Sequence, residues 1–315
     1  MSLSNILNSS LKILILFLPI SLILGNFIIN LNSLIIIIIF FGIILINQQI
    51  LINYKKFFIF LGILFFFLFL NTISSLEKYL STKAALGIIR YYILFLAILY
   101  SFDNFKNFRN KLSYCILFVI LFVTFDLFYQ YFFGEDIFGY KVLGSHGSRL
   151  SGPFGDELIA GGYIQRFSIF SFFLIPIFYS KNLNKYLKYL IPILFIIFFT
   201  AIILSGNRMP LLLFLFSTFL IIIFQKQTRK FFLPALIAST IIFYIFINFN
   251  YKTKEIFFAF YNQISQMTTI IINKDFQNQK IPPYLREFSS FYETWLLNKY
   301  IGGGIKNFRY YCHHR

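Results

Sequence analysis

Residues 112–133 read LSYCILFVILFVTFDLFYQYFF, an apolar run of membrane-spanning length that contains one charged residue, Asp126. A helix rises about 1.5 Å per residue, so a run of this length crosses roughly 30 Å of hydrocarbon. Eight further apolar segments flank it, at 11–29, 34–52, 57–75, 84–101, 158–180, 187–205, 209–224 and 231–249. Only helices satisfy their own backbone polar groups in lipid at this length. The sequence therefore predicts an all-α, polytopic membrane helix bundle of about nine transmembrane helices.

Composition supports the same class of protein. The 315 residues are 58% hydrophobic and 12% charged, and 47 of them are Phe. A soluble domain cannot hide that much apolar surface in one core. The net charge of +17 comes mainly from short basic clusters between apolar runs, which is the topology signal of membrane proteins. We therefore expect contact with anionic membrane lipid and no nucleic-acid partner.

Two cysteines, Cys115 and Cys312, provide neither a metal-ligand pattern nor a disulfide framework, and we expect no metal and no cofactor. The N-terminal residues lack a small-residue cleavage site, so the first apolar run is interpreted as a retained helix with a cytoplasmic N-terminus. This orientation puts twelve Lys and Arg residues of the short loops on the cytoplasmic side and five on the outer side. The positive-inside rule favours it.

The longest polar, glycine-rich interval in the first two thirds of the chain is GSHGSRLSGPFGDELIAGG, residues 144–162. Its glycines and Pro153 permit turns, and Arg149 lies at its centre. Binding groups concentrate on loops that a rigid scaffold holds, so we interpret the outer-face loop 134–158 as functional, with a simple connector as the alternative. Residues 1–249 then form the transmembrane bundle, and residues 250–315 form a periplasmic helical segment with an amphipathic stretch from Tyr284 to Lys299.

Three charged residues, Arg90, Asp126 and Arg166, lie within apolar spans at similar predicted depths. Charges in such spans are costly and generally face the protein interior. One interpretation is a water-accessible cavity that opens to the outer face. The other is an Arg90–Asp126 ion pair that locks two helices together, with Arg166 extending toward the interface. The two interpretations are compatible.

Three short motifs occur in order between residues 149 and 308. They are Arg149-Leu-Ser-Gly-Pro-Phe-Gly, Ser205-Gly-Asn-Arg208, and the segment from Arg286 through Trp295 to the glycine turn before Phe308. Together they resemble the O-antigen ligases and O-antigen polymerases of bacterial envelopes over roughly residues 110–310. The resemblance implies a metal-independent glycosyltransferase of the bacterial inner membrane, active at the periplasmic face in lipopolysaccharide or related polysaccharide synthesis.

The resemblance also implies substrates and roles. The donor would be an undecaprenyl-pyrophosphate-linked oligosaccharide, and the acceptor lipid A-core or a growing glycan. Arg149, Arg208 and Arg286 take the family's arginine positions as catalytic residues, which suits a pyrophosphate leaving group because Arg offers fixed bidentate donors. Arg90, Asp126, Arg166 and His146 are the candidate substrate-binding residues. For the general base, His146, Asp156 and Glu157 remain open, together with the terminal pair His313 and His314.

The chain departs from the family pattern at its end. The family continues beyond the glycine turn to a histidine-bearing segment and further helices, whereas this sequence ends at Tyr311-Cys-His-His-Arg315. We therefore expect either a fragment of a longer protein or a chain that has lost part of the site. Two other classes of function remain as alternatives, namely a lipid-linked-glycan flippase or transporter and a non-catalytic envelope-assembly subunit.

Overall fold

The computed structural model describes residues 3–142, 149–178, 187–224, 229–273 and 282–313. Within these ranges the protein is almost entirely helical, and an isolated antiparallel bridge pairs Glu135 with Lys141. The helices are α1 Leu3–Ile23, α2 Asn26–Ile46, α3 Gln49–Asn53, α4 Lys55–Ile73, α5 Lys78–Asn104, α6 Phe108–Phe133, α7 Ala160–Phe178, α8 Leu187–Leu204, α9 Arg208–Phe224, α10 Arg229–Phe249, α11 Tyr251–Asn273, α12 Pro283–Leu297 and α13 Phe308–His313. The all-α prediction is confirmed for the described residues.

Six of these helices (α1, α2, α4, α5, α6 and α10) are long and apolar enough to cross a membrane. Helix α4 shows the character of this surface most clearly, because Phe60, Phe66 and Phe67 are all more than half exposed. Exposed aromatic side chains in such numbers indicate lipid as the solvent. The protein is therefore a membrane-embedded helical protein. The remaining predicted spans, which fall on α7, α8 and α9, are helical, and their crossing of the membrane stays a prediction.

The predicted bounds of the first two spans, 11–29 and 34–52, are wrong by several residues. Helix α1 ends at Ile23 because Gly25 has φ +105°, which breaks the helix, and α2 already begins at Asn26. Hydropathy alone excludes the polar residues before residue 34, yet Asn32 lies buried inside α2. Its side-chain amide donates to the carbonyl of Leu14 at 3.2 Å, which offsets part of the cost of burying it.

The chain forms two compact units, which we describe separately. Unit 1 comprises Met1–Leu18, Phe27–Phe108 and Gln263–Arg315. Its core packs side chains of α1, α2 and α5, with Phe40 against Tyr100 at a ring-centroid distance of 5.8 Å. The predicted boundary at residue 249/250, between a bundle and a periplasmic segment, stays a prediction.

Unit 2 comprises Pro19–Asn26 and Arg109–Asn262. A buried phenylalanine cluster joins α7, α8, α9 and α10. Phe172 meets Phe232 edge-on at 5.3 Å, and Phe195 lies 5.0 Å from Phe214. Such ring pairs stabilise the packing beyond their buried area. The cluster holds these four helices together, and the Ser205–Arg208 turn connects two of them, α8 and α9.

Within unit 1, the glycine turn at residues 302–304 docks onto the connection between α4 and α5. Asn307 is fully buried there, and its side-chain carbonyl accepts a hydrogen bond from the Glu77 N–H at 2.8 Å. Its side-chain amide donates to the Glu77 carbonyl at 3.3 Å, and the Tyr311 hydroxyl donates to the Ser74 carbonyl at 3.2 Å. We call this set of contacts the Asn307 clip. It holds the segment between α12 and α13 against the start of α5.

The clip requires glycine at position 304. Gly304 has φ +94°, and a Cβ there would overlap Ser75 Cβ and lie 2.9 Å from the Asn307 amide nitrogen. Gly139 has a similar φ of +88° but open space around it. We predict that Gly304→Ala lowers the stability of the protein by about 2–3 kcal/mol, against about 1 kcal/mol for Gly139→Ala, because only Gly304 adds overpacking to backbone strain. Thermal unfolding in one detergent measures both, and equal losses would contradict the clip.

Candidate functional site

Two polar residues one turn apart on α6 anchor the loops that follow this helix. Gln130 is fully buried, and its side-chain carbonyl accepts a hydrogen bond from the Gly152 N–H at 2.9 Å. Its amide donates to the Tyr140 carbonyl at 3.1 Å. One glutamine therefore holds both sides of the 134–158 loop. The backbone polar groups of a loop near the membrane need protein partners, and Gln130 provides two of them.

Asp126 completes the anchor. Its side chain is fully buried, and Oδ1 accepts a hydrogen bond from the Ile137 N–H at 2.9 Å. The other oxygen, Oδ2, is buried and has no hydrogen-bond partner among the described residues. Asp126 thus also holds the 134–158 loop, through this hydrogen bond. The predicted ion pair with Arg90, a residue of unit 1, stays a prediction, as does the predicted role of Asp126 in substrate binding.

The same loop is bound to the Ser205–Arg208 turn. The Asn207 amide donates to the Leu158 carbonyl at 3.1 Å. Ser205 is fully buried and faces Gly161, where an added Cβ would overlap Ser205 Oγ and lie 3.2 Å from the Asn207 amide nitrogen. The segment that follows the Arg149 motif and the turn that ends at Arg208 are therefore packed together in unit 2.

Arg208, the first residue of α9, lies at a cavity of about 420 Å³, which we call the Arg208 cavity. The cavity is bounded by α9, α10 and α11, and its lining is almost entirely apolar. The guanidinium carbon of Arg208 is 5.6 Å from the ring centroid of Phe260. The lining residues are Arg208, Leu211, Leu212, Leu215, Phe243, Ile247, Lys254, Phe257, Phe258, Phe260 and Tyr261.

The junction between α10 and α11 supplies the second cation of this cavity. Asn250 separates the two helices, and its side-chain oxygen accepts a hydrogen bond from the Thr253 N–H at 3.2 Å, which caps α11. The Asn250 amide also donates to the Tyr131 hydroxyl at 2.9 Å. Phe243 and Phe257 meet edge-on across the bend at 5.2 Å. Lys254 is thereby placed one turn into α11, beside the cavity.

The other predicted site residues are distributed over both units. Arg149 and Arg166 are exposed in unit 2, and Arg286 is exposed on α12 in unit 1. Arg90, in unit 1, is half-buried, and its guanidinium donates to the Tyr91 hydroxyl at 3.1 Å. His146 lies outside the described residues. Arg149 and Arg208 are thus carried by segments bound to one another, while Arg90 and Arg286 belong to the other unit.

Two candidate proton acceptors lie on the described part of the loop. Asp156 and Glu157 are both exposed, and the Glu157 carboxylate accepts a hydrogen bond from the Asn26 amide at 3.1 Å. Of the terminal histidines, His314 lies outside the described residues and His313 is the last residue of α13. In the described part of the chain, no group of three or more His, Cys, Asp or Glu side chains is placed to hold a metal ion.

Sequence reasoning missed several residues that build this region. The sequence places Lys254 and Phe260 in the outer segment 250–315 and gives neither of them a role. In the structure, both line a cavity with Arg208. Gln130 had a usable signal, because it follows Asp126 by four residues on one face of an apolar helix. For Asn207, the sequence offered no signal beyond its place beside Arg208.

The contact between Gly161 and the turn can be tested with its neighbour as a control. A Cβ on Gly162 would meet only Pro210, at 3.9 Å, whereas one on Gly161 would overlap Ser205. We predict that Gly161→Ala costs about 2 kcal/mol of stability through overpacking, and that Gly162→Ala is neutral or stabilises α7 by up to about 1 kcal/mol. Thermal melts in detergent distinguish the two. Identical melting temperatures for both variants would show that the turn does not pack on Gly161.

Three comparisons with known proteins bear on the identity of the chain. No family model, no curated protein and no solved structure matches it. A functional assignment therefore depends on the chain's own residues and on the geometry of the Arg208 cavity.

Proposed function

We propose that this protein is a membrane glycosyltransferase that transfers or polymerises a glycan carried on polyprenyl pyrophosphate. The observation that carries the proposal is the Arg208 cavity, where an almost wholly apolar wall meets two cations, Arg208 and Lys254. A ligand that fits such a surface has a long hydrocarbon part and an anionic head. A polyprenyl pyrophosphate has both, and the resemblance of the three arginine motifs to the O-antigen ligase and polymerase family supports the same choice.

The position of Arg208 suits an anionic leaving group. As the first residue of a 17-residue helix, it adds its charge to the positive end of the α9 dipole. The guanidinium offers two parallel donors to phosphate oxygens, and its surroundings in the cavity are apolar, which strengthens the attraction. Lys254 provides a second positive charge, and a pyrophosphate carries more than one negative charge, so it could interact with both cations.

The proposed reaction is a displacement at the anomeric carbon of the donor glycan. An acceptor hydroxyl oxygen forms the new glycosidic bond, and the bond between that carbon and the pyrophosphate oxygen breaks. The electron pair leaves with the polyprenyl pyrophosphate, where Arg208 and Lys254 stabilise it. The hydroxyl proton passes to a general base, for which the exposed carboxylates of Asp156 and Glu157 are the described candidates.

Arg149 and Arg286 belong to the proposal through the resemblance. Arg149 is exposed on the loop that is hydrogen-bonded to the Arg208 turn, and Arg286 is exposed on α12. We propose that both side chains bind the glycan or the phosphate of the substrates. The acceptor is then lipid A-core or a growing glycan, and the reaction takes place at the periplasmic face of a bacterial inner membrane with the N-terminus in the cytoplasm.

Substitution of Arg208 tests the proposal in the source bacterium. In a strain that lacks the gene, we expect Arg208→Gln to restore no more than about 1% of the glycan transfer restored by the wild-type gene, because one charge-stabilising donor is worth roughly 10²-fold in rate. Arg208→Lys keeps the charge but loses the bidentate geometry, so an intermediate loss of about tenfold is expected. The banding pattern of the extracted lipopolysaccharide is the readout.

Arg229→Gln is the matched control, since Arg229 is an exposed arginine at the first residue of another helix, α10. It should restore the wild-type pattern, and all variants should reach equal levels in the membrane. In the null strain, single capped units would identify a polymerase, and polymer left on its lipid carrier would identify a ligase. Full transfer by Arg208→Gln would contradict the proposal.

A further inference from the structure

A second cavity, in unit 1, has a different character from the Arg208 cavity. It measures about 790 Å³ and lies along α5, with Asn30 of α2 and with Ile305 and Lys306, which follow the glycine turn, also in its wall. We call it the α5 cavity. Three cations line it, Lys83, Arg90 and Lys306, and no acidic side chain is among its lining residues. The remaining lining residues are Leu80, Ala84, Leu86, Gly87, Ile88, Tyr91 and Ile305.

The register of α5 creates this cavity. Lys83, Gly87 and Arg90 are spaced by four and three residues, which places them on one face of the helix. An added Cβ on Gly87 would meet no atom within 4 Å. The glycine therefore leaves open space between the two cations. An alanine here would place its Cβ in that space without meeting a packed neighbour.

Lys306 is held at the cavity in a strained backbone conformation. Its φ is +61°, in the left-handed region that non-glycine residues seldom adopt. The next residue is Asn307, whose buried side chain is bonded to the Glu77 backbone in both directions and so fixes the turn. Glycine would relieve the strain at position 306, yet a cation is present. A strained residue that the surrounding structure enforces points to a role for its side chain.

Arg90 carries an unused donor at the same place. One guanidinium nitrogen donates to the Tyr91 hydroxyl at 3.1 Å, while Nε is buried and has no hydrogen-bond partner among the described residues. A buried, unsatisfied donor on a charged group is costly unless a ligand or water completes it. With like charges from Lys83 and Lys306 around the same space, an anion is the group that would relieve both the repulsion and the missing hydrogen bond.

We infer that the α5 cavity is a binding site for a phosphate-bearing anion, held by Lys83, Arg90 and Lys306. A single carboxylate would balance one of the three cations, whereas a phosphomonoester or pyrophosphate brings about two or more negative charges and several acceptor oxygens. The phosphate can come from a lipid headgroup that enters along α5 or from a soluble molecule. This inference uses no residue of the Arg208 cavity and does not depend on the proposed glycosyltransferase function.

Binding of two defined probes to the full chain tests the inference. The chain is placed in phosphatidylcholine nanodiscs, with and without dioleoyl phosphatidic acid, and inorganic pyrophosphate is titrated in a separate series. Native mass spectrometry measures retained lipid, and isothermal titration calorimetry measures pyrophosphate. We expect the wild type to bind at least one probe, and we expect this binding to persist in Arg208→Gln, which separates it from binding at the Arg208 cavity. Phosphatidic acid alone would identify a lipid headgroup as the source, and pyrophosphate alone would identify a soluble ligand.

Three variants should weaken that binding. Arg90→Gln removes the guanidinium, Gly87→Leu fills the open space, and Lys306→Gly removes a cation while relieving the strained φ. Each should reduce affinity about tenfold, the effect of losing one charge-assisted contact or the space for the ligand. The melting temperature of Lys306→Gly should not fall, so its loss of binding is not a loss of fold.

Two matched controls complete the test. Lys299→Gln changes the net charge equally in the same segment, at an exposed lysine that does not line the cavity. Gly62→Leu adds the same side chain on α4, where a Cβ also meets no atom within 4 Å. Both should keep wild-type affinity. No binding of either probe to the wild type, or equal affinity in the three variants and the controls, would overturn the inference.

Discussion

The candidate site depends on the close contact between Gly161 and the Ser205–Arg208 turn. Because position 161 has no side chain, the buried Ser205 can approach the start of α7, and the Asn207 amide can reach the Leu158 carbonyl at 3.1 Å. These contacts fix the turn from which α9 begins, and Arg208 is the first residue of that helix. A larger residue at position 161 would displace the cation together with the turn.

Side-chain amides, two of them fully buried, hold the polar turns and loops of this apolar protein. Gln130 bonds to two separate loop segments, Asn250 caps α11 and reaches Tyr131, and Asn307 pairs with both backbone groups of Glu77. An amide offers donors and acceptors without a net charge, so its burial near lipid costs less than that of a carboxylate or ammonium group once it is fully bonded. Among the described residues, only two charged side chains, Asp126 and Asp136, are buried.

The sequence predicted the helical class and the approximate positions of the spans, because apolar runs of this length have few alternatives in lipid. It misplaced the first two spans, since hydropathy does not register that the Asn32 amide donates to a carbonyl of another helix. It grouped Arg149 with Arg208 through short motifs, and the segments that carry them are indeed bonded together. It did not find Lys254 or Lys306, because their places depend on a helix break at Asn250 and on a left-handed turn, both set by tertiary contacts.

The central claim is that the Arg208 cavity holds a polyprenyl pyrophosphate. The most direct measurement is native mass spectrometry of the full chain in detergent with added undecaprenyl pyrophosphate, comparing Leu215→Trp with Leu213→Trp. Leu215 lines the cavity, whereas Leu213, two residues away on α9, is exposed and does not. We predict that Leu215→Trp loses at least about tenfold in lipid retention, because the indole occupies the cavity, while Leu213→Trp retains it as the wild type does. Equal retention by both variants would contradict the account.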